Sequence, residues 1–546
     1  MAAEQTNGNK KKTNNFLIQG TILAVAGILV RLIGLAYRIP LVRIVGDEGM
    51  GYYSVAYEIY AIILLLSSYS LPLSVSKMVS ARLADDDYLN ADRILKVSLI
   101  YATVVGFICF LFLWLTADWF ANVFYQLPLC KYALISLAPT VWIMTYLGVM
   151  RGYFQGQSTM VPTAVSQILE QIVNALVSVG AAWWLCHMAL EVAKGTSVAS
   201  AWGAAGGTIE TGAGALTALI VLFILFIKKR KEWKTKVNAS EKSGVQKEDY
   251  KTISKVLFLT VIPVVLSTAV YNLTNIIDAE VFTSTMVGYF GIDPSSVAAD
   301  WGVFTSRFKT LANIPIAIAN SLSSSLIPVM AAASAANNRK GVNDAFTLAL
   351  RYTVLIALPA SVGLTVLGGP IITLLFGKSS LAAAMTLIGS FGVLFYSIST
   401  VTNAVLQGNN YMRIPVVNAV LSLIIHLIVM IIMLRVFNMG IIAVVIGYVL
   451  FAVLMCILNQ VSLNKKLGHK QDIMLTYIKP LIASAVMGIV TYIVKILIEK
   501  KTDSSFVITA VCVVIAVAVY GFMVIVTGSI TKEELSKFPV IKRFVR

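Results

Sequence analysis

The chain has 546 residues, of which 58% are hydrophobic and only 13% are charged, and its formal net charge is +17. Soluble proteins are roughly 45–50% apolar and 25% charged, so this composition excludes an ordinary soluble enzyme and predicts an integral membrane protein. The basic residues cluster between apolar stretches, where anionic headgroups and the positive-inside rule account for them, and we therefore expect no nucleic-acid partner.

Stretches of about 20 apolar residues predict about fourteen membrane-spanning helices, because a spanning backbone must satisfy its polar groups internally. In chain order they cover 16–36, 53–79, 95–115, 133–150, 161–184, 203–227, 253–282, 304–332, 346–367, 382–406, 414–434, 441–463, 474–498 and 506–526. Lysine and arginine concentrate in alternate loops, most densely from Lys228 to Lys236. The positive-inside rule predicts that those loops and both termini are cytoplasmic.

An internal repeat connects the two halves of the chain. Gln155-Gly156 precedes the fifth span and Gln407-Gly408 precedes the eleventh, each followed by a methionine and a proline. The second and eighth spans are both rich in serine. Duplicated bundles are common in transporters, so the fold class is all-α and polytopic, with two six-helix lobes related by a pseudo-twofold axis and two extra C-terminal helices.

This repeat sets the predicted domain organisation. The chain divides into an N-lobe at 1–227, a basic cytoplasmic linker at 228–251, a C-lobe at 252–463, and the last two helices with a cytoplasmic tail at 464–546. A central cavity is expected between the two lobes of such a transporter.

Charged side chains at membrane depth are costly and usually face a polar cavity. Gly27, Arg31, Gly34 and Arg38 follow each other in steps of four, three and four residues, which places them on one stripe of the first helix. Arg31 and Arg38 are therefore candidate ligands of an anionic substrate. Extension of the Arg38 side chain to the membrane interface is the structural alternative.

Four further charged residues belong to the predicted substrate site. Glu58 lies in the second helix at a depth where an arginine of the first helix can pair with it. Lys77 lies near the cytoplasmic end of the same helix, where extension to the interface is the simpler interpretation. Arg307 and Lys309 open the eighth helix, which is the repeat counterpart of the second.

Asp278 closes the seventh helix and is as well explained by a salt bridge to Arg307 or Lys309 as by a substrate site. Asn275 and Asn272 precede it at three-residue steps, so the three side chains share part of one face. Their oxygens are suitable ligands for a small cation, and Asn275 with Asp278 forms a candidate Na⁺ site.

Four motifs together resemble a known family: Arg31-x-x-Gly34-x-x-x-Arg38, the stretch 71–77, the stretch from Arg151 to Gly156, and Ile276-Ile277-Asp278. They are similar to the multidrug/oligosaccharidyl-lipid/polysaccharide (MOP) exporter superfamily, in particular its branch of MurJ-type and stage V sporulation protein B-like flippases. The resemblance covers nearly the whole chain. It implies a V-shaped, fourteen-helix transporter of the bacterial cell membrane, with a cationic cavity for a polyprenyl-pyrophosphate saccharide and a groove for the lipid tail along the last two helices.

A pyrophosphate needs fixed cations in a wet cavity, and the arginine fork is suited to binding it. Since the resemblance implies this substrate class, we predict an alternating-access flippase, acting as a monomer, with no enzymatic activity and no cofactor. The resemblance makes lipid II of peptidoglycan synthesis its first candidate substrate. The membrane potential or a coupling cation, Na⁺ or H⁺, drives it in this hypothesis. A flippase for another cell-wall or capsular precursor and a cation-coupled drug antiporter are the alternatives.

Overall fold

The computed structural model describes residues 2–193, 195–468 and 471–530, and within them the side chains of 2–21, 23, 24, 193 and 262–272 are not described. The predicted tail beyond residue 530 and the side chain of Asn272 therefore lie outside the described part. The described chain is helical, with α1 (Ala2–Leu64), α2 (Leu71–Ala84), α3 (Tyr88–Trp119), α4 (Lys131–Gly156), α5 (Val161–Ala193), α6 (Thr196–Lys242), α7 (Tyr250–Thr283), α8 (Pro294–Gly302), α9 (Lys309–Ala335), α10 (Arg339–Phe376), α11 (Ser380–Gly408), α12 (Arg413–Arg435), α13 (Ile441–Leu467), α14 (Lys479–Glu499) and α15 (Ser505–Val526).

Twelve helical segments of the described chain are long and apolar enough to cross a membrane, which confirms the all-α polytopic architecture. The first of them, Val25–Ala84, has 60 residues, about three times the roughly 20 residues that one crossing requires. It contains most of the first predicted span and all of the second. α7, which contains the seventh predicted span, is a further long helix. Fourteen crossings are compatible with these lengths and remain a prediction.

The first two predicted spans follow each other with no long loop between them, because α1 joins two helices across a kink at Gly46. Gly46 has φ 74° and ψ 175° at this point, a backbone conformation that glycine adopts without a Cβ penalty. The second predicted span then passes from the end of α1 through a π-helical segment, Leu65–Tyr69, into α2. Hydropathy alone does not distinguish a kinked helix from two helices joined by a loop.

The predicted linker at 228–251 is largely helical, because α6 extends to Lys242. Lys236 and Glu232 form an ion pair at 3.0 Å one turn apart on this extension, which is a stabilising arrangement on a helix surface. Only residues 243–249 are non-helical. The end of this connection is fixed to α3, because Asn90 donates to the carbonyl of Gln246 and accepts from the N–H of Glu248, both at 2.9 Å.

The chain forms two compact units, Met1–Gly302 and Val303–Arg546. α7 and α8 therefore belong to the first unit, where α8 packs closely on α1. The close approach depends on glycine: a Cβ on Gly51 would meet the carbonyl oxygen of Ala298 at 1.9 Å. The predicted lobes, which assign α7 to the second half, remain a prediction.

The internal repeat extends to the backbone of the two units. Residues with positive φ recur at corresponding places, with Asp86 matching Asn337, Gln126 matching Gly377, and Ser158 matching Asn410. The residues after the first pair, Asp87 and Asn338, cap α3 and α10, and each side chain accepts a backbone N–H three residues later at 2.9 Å. Shared turn geometry of this kind is expected when both halves derive from one bundle.

Candidate functional site

The arginine stripe of α1 is accessible along part of its length. Arg31 is exposed and Arg38 is half-buried. Between them, Gly34 faces α5, where a Cβ would lie 3.3 Å from Nε2 of Gln171, whereas a Cβ on Gly27 would meet nothing within 4 Å. One glycine of the stripe therefore packs on α5. Arg31 stays exposed and Arg38 stays partly exposed.

A buried carboxyl group lies beside this stripe. Glu210 of α6 is only 2% exposed. Its Oε1 accepts hydrogen bonds from the hydroxyls of Tyr37 and Tyr53, both at 3.0 Å. Arg38 lies within electrostatic range of the same carboxyl group. The predicted ligand Arg38 is thereby placed near a buried acidic residue on another helix.

Small residues on α6 bring the helices around Glu210 together. A Cβ on Gly206 would lie 2.5 Å from the carbonyl oxygen of Ala181 on α5, and one on Gly207 would lie 3.4 Å from the Tyr53 ring of α1. Tyr57 stacks on Tyr53 with ring centroids 5.8 Å apart. The glycine-rich run around Glu210 is the sequence signal for this burial, because it marks close helix approach.

Glu58 and Lys77 occupy different environments. Glu58 is half-buried on α1, within electrostatic range of the Tyr125 hydroxyl. Lys77 is exposed on α2, which is the arrangement expected of a side chain extending to the interface. The pairing of Glu58 with an arginine of the first helix stays a prediction.

Glu170 also has a partner on a neighbouring helix. Nη2 of Arg151 on α4 lies 2.5 Å from Oε2 of Glu170 on α5, and the two side chains are only 12% and 14% exposed. Nε of Arg151 donates to Oγ of Ser166 at 3.2 Å. The turn between α4 and α5 brings these residues together, and the pairing supplies the compensation that a buried charge requires.

In the second unit the two predicted cations are well packed. Arg307 lies in a π-helical segment, Val303–Phe308, is 8% exposed, and donates from Nη1 to the carbonyl oxygen of Gly377 at 3.2 Å. Lys309 opens α9, and its ammonium lies 5.1 Å from the ring centroid of Phe304. These contacts orient both cations by packing and hydrogen bonding.

The candidate Na⁺ residues lie on α7 of the first unit, where Asp278 is buried and Asn275 half-buried. Among the described residues, no group of three or more His, Cys, Asp or Glu side chains is placed to hold a metal ion. The Na⁺ site and the salt bridge of Asp278 to Arg307 or Lys309 stay predictions.

A buried amide network in the second unit has no counterpart in the sequence-based prediction. Asn459 of α13 accepts from Nδ2 of Asn418 on α12 at 2.8 Å and donates to Oδ1 of Asn403 on α11 at 2.7 Å. It also donates to Oγ1 of Thr402 at 3.1 Å. Three helices are therefore joined through one fully buried amide, an arrangement that satisfies polar groups within the membrane.

Comparison with known proteins gives a consistent assignment. The sequence matches the family model of polysaccharide biosynthesis proteins over residues 17–334 and the MatE model over residues 263–432. It is 27% identical over 535 residues to the lipid II flippase MurJ of Bacillus subtilis (strain 168), covering 94% of this chain and 95% of that protein. Stage V sporulation protein B of the same organism is 26% identical, with coverage of 97% and 98%.

The fold is similar to that of a solved transporter. A structure of lipid II flippase MurJ in an inward closed conformation matches with a TM-score of 0.65 and 14% identity, covering 92% of this chain and 98% of that one. This similarity confirms the transporter fold that the resemblance in sequence implied.

Proposed function

This chain belongs to the polysaccharide biosynthesis protein family, and we propose on that premise that it is a flippase that carries a polyprenyl-pyrophosphate-linked saccharide from the inner to the outer leaflet. The family is one of MOP-superfamily transporters, not of enzymes. Lipid II is the specific substrate in this proposal, since the flippase MurJ of B. subtilis is similar over nearly the whole chain.

The observation that carries the proposal is the exposed guanidinium of Arg31 in the apolar part of α1, with half-buried Arg38 seven residues later on the same stripe. Exposed apolar residues such as Ile28 and Leu32 surround it. A charged side chain in such a segment is costly and usually faces a polar cavity. Two forked donors at this spacing are suited to a pyrophosphate.

The proposal includes all the cations predicted from the sequence. Arg31 and Arg38 are the proposed substrate ligands of the first unit, and Arg307 and Lys309 are those of the second. Glu58 and Lys77 complete the proposed set, Glu58 as a partner that orients an arginine and Lys77 as a cation near the cytoplasmic end. A positively charged empty carrier would return under an inside-negative potential, which acts with roughly 2.3 kcal/mol per charge per 100 mV.

The internal repeat also assigns roles to the other helices. Two six-helix halves form the transport body, and α14 and α15 are the two additional helices that carry the lipid tail. The chain resides in the bacterial cell membrane as a monomer, with both termini in the cytoplasm. A coupling cation, Na⁺ at Asn275 and Asp278 or H⁺, or the membrane potential drives the cycle in this proposal.

One specific arrangement favours a second candidate function. Glu210 with Tyr37 and Tyr53 forms a carboxylate and aromatic cluster, and the MatE model matches residues 263–432. A cation-coupled drug antiporter would use such groups for organic cations. Drug tolerance of an expressing strain distinguishes the two functions.

The decisive experiment is complementation of a strain depleted of its lipid II flippase. The wild-type chain should restore growth, and Arg31→Ala should fail at normal membrane abundance. Arg31→Lys should restore growth in part, because the charge remains while the fork is lost. Arg43→Ala, an exposed arginine of the same helix, is the matched control and should behave as wild type.

Each failure of this test has a distinct meaning. Normal complementation by Arg31→Ala would remove Arg31 from the site. Absence of complementation by the wild-type chain, together with restored growth of a strain lacking another wall-polymer flippase, would replace lipid II with that precursor. Increased drug tolerance without either complementation would favour the antiporter.

A further inference from the structure

A pocket of about 270 Å³ opens beside the end of the apolar part of α6. Its walls are aromatic, formed by Tyr88, Tyr153, Phe154, Phe226 and Trp233. Lys229, Lys236 and Glu232 line its rim. The proposed transport site does not use any of these residues, so the pocket requires a separate explanation.

The central aromatic wall is held in a fixed position. The Trp233 ring packs edge-on against Tyr88 and Tyr153, with centroids 5.4 and 5.3 Å away. Its Nε1 donates to Oδ1 of Asp92 at 3.1 Å, and the same oxygen lies 2.9 Å from Nη1 of Arg230. The buried carboxylate of Asp92 therefore orients the indole and pairs with Arg230 and with Lys96, both at 2.9 Å. The charged groups that line the pocket itself are Lys229, Lys236 and Glu232.

The rim offers donors for an anion. Lys229 and Lys236 are seven residues apart on α6, on the same face of the helix. The Lys236 ammonium lies 5.5 Å from the Tyr88 ring centroid and 3.0 Å from Glu232. The amide nitrogen of Gln157 is buried in the wall. The two ammonium groups outweigh the single carboxylate of Glu232. Together with the amide and the aromatic wall, this net positive charge suits a phosphate carried by an apolar molecule.

The position of the pocket along α6 indicates where such a molecule resides. Just before it, Phe223, Ile224 and Ile227 are exposed apolar residues, and the basic run begins at Lys228. This sequence of apolar then basic residues marks the level of lipid headgroups, where aromatic rings are also enriched. A phospholipid headgroup at this level can enter the pocket while its acyl chains stay beside the apolar part of α6.

The second unit has a pocket at the corresponding place of the repeat, with a volume of about 180 Å³. Asn409 and Tyr411 line it at the positions that Gln157 and Thr159 occupy in the first unit. Lys466 lies on its rim with its ammonium 5.7 Å from the Tyr411 ring centroid. A lysine near a tyrosine ring thus recurs in both pockets although the residues differ.

We propose that the pocket at Trp233 binds the headgroup of an anionic phospholipid, with its phosphate at Lys229 and Lys236 and its glycerol against the aromatic wall. The inference is independent of the transported substrate. Each lysine near an anionic lipid contributes about 1 kcal/mol, which corresponds to about fivefold in affinity.

The experiment titrates the full chain in detergent with dioctanoyl phosphatidylglycerol and counts bound lipid by native mass spectrometry. The double variant Lys229→Ala/Lys236→Ala should weaken binding by at least tenfold. The matched control, Lys231→Ala/Lys234→Ala, removes two exposed lysines of the same helix that do not line the pocket and should change binding less than twofold. Dioctanoyl phosphatidylcholine should bind much more weakly to the wild-type chain.

Three outcomes would overturn the proposal. Equal losses in the pocket and control variants would indicate diffuse attraction to the basic helix. Equal binding of phosphatidylcholine would show that the anionic headgroup is not recognised. Displacement of the lipid by equimolar glycerol 3-phosphate would identify a site for soluble phosphates. Because the altered lysines are exposed, unchanged thermal unfolding without lipid is the check that both variants are folded.

Discussion

Arg151 and Asn403 occupy the same place in the two halves of the repeat, each four residues before the Gln-Gly pair. In the first unit Arg151 forms an ion pair with Glu170 on the next helix. In the second unit Asn403 accepts from Asn459 and belongs to an uncharged amide network. The comparison shows that equivalent places in the two halves can be linked to neighbouring helices by an ion pair or by neutral amides. The two kinds of link should differ in how much stability is lost when one partner is removed.

The largest expected loss of stability comes from breaking the ion pair between Arg151 and Glu170. Arg151→Ala leaves the Glu170 carboxylate nearly buried without its partner, which should lower the free energy of unfolding by about 3–5 kcal/mol. Thermal unfolding in detergent measures this loss. The double variant Arg151→Met/Glu170→Leu removes both charges and should recover most of the stability. A single variant as stable as wild type would mean that the pair is compensated by other groups.

The next effect tests what the two units share. A Cβ on Gly156 would lie 2.7 Å from Cβ of Val79, and one on Gly408 would lie 2.6 Å from Cβ of Met330. Gly156→Ala and Gly408→Ala should therefore each destabilise the protein by about 1–3 kcal/mol through overpacking. Gly180→Ala is the control, because a Cβ there meets nothing within 4 Å. If only one of the two alanine substitutions lowered stability, the two glycines would not have equivalent packing roles in the two units.

The amide network should be less sensitive than the ion pair. Asn459→Ala removes the shared partner of Asn418 and Asn403 and should lower the free energy of unfolding by about 1–2 kcal/mol, which is typical of interhelical hydrogen bonds in membranes. Combining it with Asn418→Ala should add little, since the two residues belong to one network. A loss as large as that of Arg151→Ala would remove the difference between the two units.

The smallest effect is expected at the surface connection of the first unit. Nε of Arg82 lies 2.5 Å from Oε1 of Glu248, and the two side chains are 37% and 27% exposed. Arg82→Ala should change the free energy of unfolding by at most about 1 kcal/mol, and high salt should reduce the difference further. An effect that grows with salt concentration would contradict an electrostatic origin.

The helical content and most spans could be predicted from the sequence, because hydropathy reports the environment of a segment without requiring its neighbours. The kink at Gly46 and the helical continuation of α6 to Lys242 could not. A glycine in an apolar run fits both a packed helix and a bend, and a lysine-rich stretch fits both a loop and an exposed helix stabilised by pairs such as Glu232 with Lys236.

The partners of buried charges were the least predictable part of the site. Arg31 and Arg38 are recognisable because their spacing is local, but the partner of Glu210 lies far away, since Tyr37 is 173 residues distant in sequence. Such pairs depend on how distant helices pack. For Glu210, the glycines around it are the only feature of the local sequence that indicates this packing. The same limit applies to Arg351, which is buried and donates to the carbonyl oxygen of Ser529 at 3.2 Å.

The exposed turn at Ser243 and Gly244 separates the two halves of the repeat in sequence. The boundary between the compact units lies later in the chain, after Gly302, because α7 and α8 belong to the first unit. Cutting the gene at this turn would give a first polypeptide that lacks two helices of its own folding unit. The two fragments would therefore have to be co-expressed and to complement each other, and the contacts of Asn90 with Gln246 and Glu248 would bind them together next to the cut.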